Sequence, residues 1–237
     1  MSMLKDFLKR LLGPAFYRLH DRAYGKKLEL KFWSKWVESQ GLAWKGDYAK
    51  RLDPNTKVAG HHKEILDKYF CPDMKILDVG SGPITGVGYC YDGNVLNITA
   101  CDPNAVEYND MLQEKNIVPP VVTVFAHGES LSDEIEGEFE WINCNNALDH
   151  AGRPDKVLIE MRKLLKTGGV VSLYHEINEG VREGYRGYHK WNIKPSGVDG
   201  FCIWSPKENM EYRGDFMGLN ISVREQSEHV LIIMEDI

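Results

Sequence analysis

From Lys75 onward the chain alternates short apolar runs with turn residues and helical patterns, and that rhythm admits little besides a parallel sheet covered by helices. KILDV (75–79), NITAC (97–101), VVTVF (121–125), FEWINC (139–144) and VVSLY (170–174) read as its strands. Between the last two, Val157, Leu158, Met161, Leu164 and Leu165 form one helical stripe, closed by Lys166, Thr167, Gly168 and Gly169 as a basic last turn and glycine stop. LNISVRE (219–225) and HVLIIME (229–235) are separated only by Gln226, Ser227 and Glu228. That spacing permits an antiparallel hairpin and forbids a helical crossover.

The preceding 72 residues read as a helical cap (1–72) ahead of the α/β domain (73–237). Leu28, Phe32, Trp36 and Val37 predict a helix around 26–40, and a second is expected around 56–70. Met3, Leu4, Phe7, Leu8, Leu11 and Leu12 recur at helical spacing before Gly13 and Pro14 interrupt them. Residues 1–31 carry eight Lys or Arg against three Asp or Glu, although the whole chain has a formal charge of -6. A basic amphipathic helix of this kind more often packs on the protein's own core or on a second subunit, and it also suits peripheral contact with an anionic membrane.

The acid excess argues against nucleic acid as a partner, which requires a clustered basic surface. The apolar runs are too short to cross a bilayer, and the first residues lack a signal-peptide pattern, so a cytoplasmic location is expected. Five cysteines, an odd number with no Cys-x-x-Cys pair, fit reduced thiols. No histidine and carboxylate group shows metal-ligand spacing, so no obligatory metal is expected.

Chemistry enters with LDVGSGPITG, where a strand ends in Asp78 and runs into Gly80, Ser81 and Gly82. Glycines there let the backbone turn sharply and approach a ligand at the carboxyl edge of the sheet. A carboxylate at Asp78 would repel a pyrophosphate and attract a cationic amino group. The next strand ends in Asp102, about twenty residues on, where a carboxylate accepts hydrogen bonds from ribose hydroxyls or caps the following helix.

From about Lys75 to Tyr174 the chain resembles the class I S-adenosylmethionine-dependent methyltransferases, through LDVGSG, TACDPNA, HGESL and FEWINCNNALDHAGRPDKVLIEMRKLLKTGGVVSLY in that order. The resemblance implies a doubly wound, Rossmann-like, seven-stranded sheet in the order 3-2-1-4-5-7-6, with S-adenosylmethionine as cofactor. It places Gly80, Ser81 and Gly82 against the cofactor's methionine end, Asp102 and Pro103 at the ribose, and His127, Gly128 and Glu129 at the adenine. Asn145 is the candidate to meet the methionine end. Ile84 replaces the third glycine of the family's turn, and His127 stands where an aspartate is common. Glu129 reads equally as a cofactor contact or as a solvated or helix-capping acid.

His150, in NNALDH, is the candidate general base, with His189 and His175 as further candidates. YHEINEGVREGYRGYHKWNI, with Tyr185, Tyr188 and Trp191, reads as a substrate wall or a packed surface loop. Tyr48 and Arg51 are candidate cap residues, Arg51 as a carboxylate partner. A weaker resemblance, through NALDH and GYHKWNI, is to uncharacterised methyltransferases of bacterial surface-polysaccharide clusters, and it favours a small-molecule or sugar hydroxyl as acceptor. The alternative is a noncatalytic cofactor-binding or membrane-associated interaction protein.

Overall fold

The computed structural model describes residues 24–42 and 44–236. The amphipathic segment before Gly13 lies outside them. A helix, α1, spans 24–38, and its end is closed where the Gly41 N–H bonds the Trp36 carbonyl at 2.7 Å. Two more helices follow, α2 (Lys45–Leu52) and α3 (Gly60–Tyr69). The chain then runs through β1 (Lys75–Val79), β2 (Cys90–Tyr91), β3 (Asn94–Val95), β4 (Asn97–Asp102), α4 (Ala105–Glu114), β5 (Val124–Phe125), α5 (Leu131–Glu134), β6 (Phe139–Asn145), α6 (Pro154–Leu164) and β7 (Leu165–Glu176). The remainder is α7 (Glu179–Arg182), β8 (Asn192–Pro195), β9 (Gly200–Trp204), β10 (Asn209–Arg213), β11 (Asp215–Phe216), β12 (Leu219–Gln226) and β13 (His229–Asp236).

The main sheet has the order β11-β12-β13-β7-β6-β1-β4-β5. Strands β5, β4, β1, β6 and β7 run parallel, and β13 and β12 close the far side as the expected antiparallel hairpin. Read from β5, the order is 3-2-1-4-5-7-6 with the short β11 added at the edge, so the sheet has eight strands and not seven.

Strand alternation sends neighbouring side chains to opposite faces. Ile76, Trp141 and Val170 meet Ile65 and Leu66 of α3 on one face. Leu77, Ile142 and Val171 meet Val157, Leu158 and Met161 of α6 on the other. Each fully buried aliphatic side chain contributes about 1.5–3 kcal/mol, which explains why these facing positions of the central strands are apolar.

Several boundaries differ from those the sequence suggests. The basic segment after α6 does not close the helix, because β7 already begins at Leu165. Leu165 pairs with Phe139 and Val170 with Trp141, so the intervening residues bulge out of the ladder, with Gly168 at φ 77°. Of VVTVF only Val124 and Phe125 pair. The segment after Trp191 forms a separate antiparallel sheet, β10-β9-β8, and α2 is a helix; the apolar spacing signals neither. Among the described residues no helix is long and apolar enough to cross a membrane.

Candidate functional site

The glycine turn leaves the buried end of β1 with Gly80 at φ 72° and Gly82 at φ 67°, a region that L side chains rarely enter. It is tied to the next strand: the N–H groups of Gly80 and Ser81 bond the Cys101 carbonyl at 2.8 and 3.1 Å. The Gly82 N–H donates to Asp102 Oδ2 at 3.2 Å, and the Asn104 N–H to Oδ1 at 2.8 Å. Asp102 is thus buried at the carboxyl edge, and burial pushes its carboxyl up to about 6 against those two hydrogen bonds.

Asp78 lies beneath the turn. It accepts hydrogen bonds from Thr85 Oγ1 at 2.6 Å and Asn143 Nδ2 at 2.7 Å, and burial raises its pKa. Ser81 is turned toward Thr123 and the Gly82 carbonyl.

Helix α1 covers this edge. A side chain at Gly82 would come within 2.8 Å of the Trp33 ring, whose indole N–H bonds Glu29 at 2.8 Å. Trp33 in turn packs edge-on against Trp36 and Tyr108. Sequence reasoning misses Trp33 and Glu29; the only signal is a tryptophan pair spaced by three residues. Ile84 is fully buried with Trp36, Val37 and Leu112, which explains its place where the family has glycine: it anchors the cap. Arg51 bonds the Ile84 carbonyl at 2.9 Å and the Asp47 carboxylate at 2.8 Å, so its carboxylate partner is internal. Tyr48 packs on Trp36.

Beyond β6, the loop from Asn146 to His150 folds back onto the glycine turn, and a side chain at Gly80 would overlap the Ala147 Cβ. The same loop carries Asp149, only 2% exposed, and His150. His189 arrives from forty residues away because the N–H groups of Lys190 and Trp191 bond the Asp149 carbonyl at 3.1 and 3.3 Å. His189 Nδ1 stands 2.8 Å from Asp149 Oδ2 and 3.2 Å from His150 Nε2, and His150 Nε2 is 3.6 Å from Asp149 Oδ2. Glu179 Oε1 lies 3.6 Å from His189 Nδ1 and accepts from Asn146 Nδ2 at 3.1 Å.

Charges in this cluster hold one another. Burial alone would lower His189 and raise Asp149; the Asp149 hydrogen bond and charge raise His189, and the His150 charge followed by the His189 hydrogen bond and charge lower Asp149. Burial raises Glu179, and the Asp149 charge adds to it. His175 is 1% exposed with neither ring nitrogen bonded, and burial depresses its pKa to about 4. Its ring is therefore neutral near pH 7.

The remaining sequence candidates are dispersed. His127 is held by Glu134, through its N–H at 2.7 Å and its ring at 3.3 Å. Gly128 leaves no room for a side chain beside Val157. Glu129 accepts from the N–H groups of Gly152 and Arg153 at 2.7 and 3.2 Å, which fastens the entry to α6. Pro103 is exposed beside Asp102, and Asn145 is half-buried at the end of β6. Trp191 is no part of an exposed wall: it is 5% exposed in the core, its indole bonded to the Ala151 carbonyl at 2.9 Å.

A family model for the methyltransferase domain matches residues 77–173, which run from β1 through α6 into β7. No curated protein matches the chain. Among solved structures, the carbon methyltransferase CurJ is 16% identical, with 73% of this chain and 51% of that one covered at a TM-score of 0.50. An S-adenosylmethionine-dependent methyltransferase from Clostridium acetobutylicum is 13% identical over 73% of this chain and 87% of its own, at a TM-score of 0.43. These likenesses concern the fold.

The residues at the sheet edge fit the cofactor this family uses. Asp102 keeps acceptor capacity beyond its two backbone partners, which suits a pair of ribose hydroxyls. The chain carries a methyltransferase domain over residues 77–173, built on the Rossmann-like sheet described above.

Proposed function

We propose that the acceptor is a hydroxyl of a small molecule or sugar, and that the Asp149, His150 and His189 cluster removes its proton. One observation carries this reading: two imidazoles and a buried carboxylate converge at the carboxyl edge, on the loop whose Ala147 abuts the glycine turn. When bound, S-adenosylmethionine supplies a methyl group on a cationic sulfur. Asp102 is the proposed ribose ligand, Gly80, Ser81 and Gly82 the backbone cradle, and Asn145 a neighbour of the methionine end.

Hydroxyl acceptors are poor nucleophiles until deprotonated, and a positioned base contributes about 10²–10⁴-fold. Asp149 fixes the His189 ring, and His150 shares the same focus while remaining about one-fifth exposed, within reach of an incoming hydroxyl. The helices ahead of β1 exclude water from the turn, with Trp33 as the covering ring. The domain's further contribution is positioning.

His150→Ala is expected to slow methylation of a hydroxyl acceptor by roughly 100-fold or more while cofactor affinity changes little. An unchanged rate at saturating acceptor would reject the assignment.

A further inference from the structure

Three ligand atoms of the cluster point at one another: His150 Nε2, His189 Nδ1 and Asp149 Oδ2, separated by 2.8, 3.2 and 3.6 Å. Two nitrogen or oxygen ligands, each about 2.0–2.1 Å from a tetrahedral ion, lie about 3.3 Å apart, so the observed separations bracket those of a shared cation. A plain hydrogen-bonded trio uses this arrangement poorly, since one Nδ1–H serves two acceptors. A second observation points the same way. Asp149 Oδ1 and Glu179 Oε2 are buried with no hydrogen-bond partner, and the neighbouring His175 has both ring nitrogens buried and unpartnered. Buried polar atoms without hydrogen-bond partners are uncommon, and a bound ion is one explanation for such a group.

We infer that Asp149, His150 and His189 form a binding site for a divalent transition-metal ion, with Glu179 beside it. Two imidazoles and one carboxylate favour zinc-like ions over magnesium, which prefers an all-oxygen shell. The two histidines are 21% and 23% exposed, so the fourth coordination position faces the open side of the cluster. Three protein ligands with one open position is the arrangement of catalytic rather than structural sites. Resting on the hydroxyl reading above, the ion would bind the acceptor oxygen: the O–H bond breaks, its electron pair stays on oxygen at the metal, and the proton leaves to solvent. With the ion bound, metal activation replaces the base role proposed above for the cluster, and the rate loss expected for His150→Ala then reports loss of the ion. The sequence could not announce the site, because Asp149 and His150 are adjacent while His189 joins them only through the folding of the 179–191 segment.

The test is titration of the metal-free full-length protein with Co²⁺, followed by visible d–d absorption. One ion per chain is expected, with intense tetrahedral bands that Zn²⁺ removes by competition. His150→Ala and His189→Ala should each weaken binding by roughly 100-fold or more, and Glu179→Gln by roughly tenfold. Circular dichroism confirms the fold, with His189→Gln as the gentler variant should alanine unfold the loop. Absence of bands, or Co²⁺ affinity unchanged in both folded histidine variants, overturns the site. The readout is independent of catalysis. Metal binding lost in these variants without methylation of any hydroxyl would keep the site and reject the acceptor reading. Methylation of a hydroxyl by a protein that takes up no Co²⁺ would do the reverse.

Discussion

His61 is one of the buried histidines through which acid destabilises the fold. It stacks on Tyr174 at 3.8 Å with rings 12° apart, its Nε2 is buried without a partner, and burial depresses its pKa from 6.5 to about 4. Because the folded pKa is the lower one, the unfolded chain binds a proton that the folded chain refuses. Stability is therefore complete above about 6.5 and falls as pH drops toward about 4, by at most about 3 kcal/mol from this residue. His61→Phe keeps the stack and removes the titration. Urea unfolding at about pH 7 and about pH 4 should show the variant losing less stability on acidification than the parent; equal losses would mean that His61 is not the source. Asp102 makes ligand binding acid-sensitive in the same direction. With its carboxyl at about 6, cofactor affinity should weaken as pH falls below that value, and a flat profile would show that the carboxylate is not used.

The glycine turn and the helix over it behave as a pair. Gly82→Ala forces a Cβ to 2.8 Å from the Trp33 ring at a φ of 67°, so a loss of about 1–3 kcal/mol is expected in chemical denaturation. Trp33→Ala removes that clash along with the Trp36 and Tyr108 contacts, and should cost about 2–4 kcal/mol by itself while quickening cofactor association in stopped-flow measurements. The strands β1, β4 and β6 are legible directly because buried parallel strands are continuous apolar runs. Strands β8, β9 and β10 are not: NIKP and NMEYR mix charge and proline with apolar residues, and only the pairing with GFCIW makes them a sheet. The end of α6 is deceptive because a glycine pair after a basic turn reads as a helix stop, whereas here it forms a bulge inside β7.

Topology gathers residues that the sequence scatters. Parallel strands deliver Gly80, Asp102 and Asn145 to one edge, and each stands at the end of an apolar run, which is why the turn and the acid are legible as a pair in the sequence. His189 and Trp33 reach that edge from a late loop and an early helix, and no local pattern encodes either approach. The proposed cofactor site is therefore a single assembled edge, with Asp102 as the group proposed to meet the ribose. Calorimetric titration of the full-length protein with S-adenosylmethionine and its demethylated product tests this most directly. One site per chain is predicted for each, with Asp102→Ala weakening both by about 10- to 100-fold, or about 1.5–3 kcal/mol. Undiminished binding in a folded Asp102→Ala variant, or tighter binding of a nicotinamide dinucleotide, would contradict it.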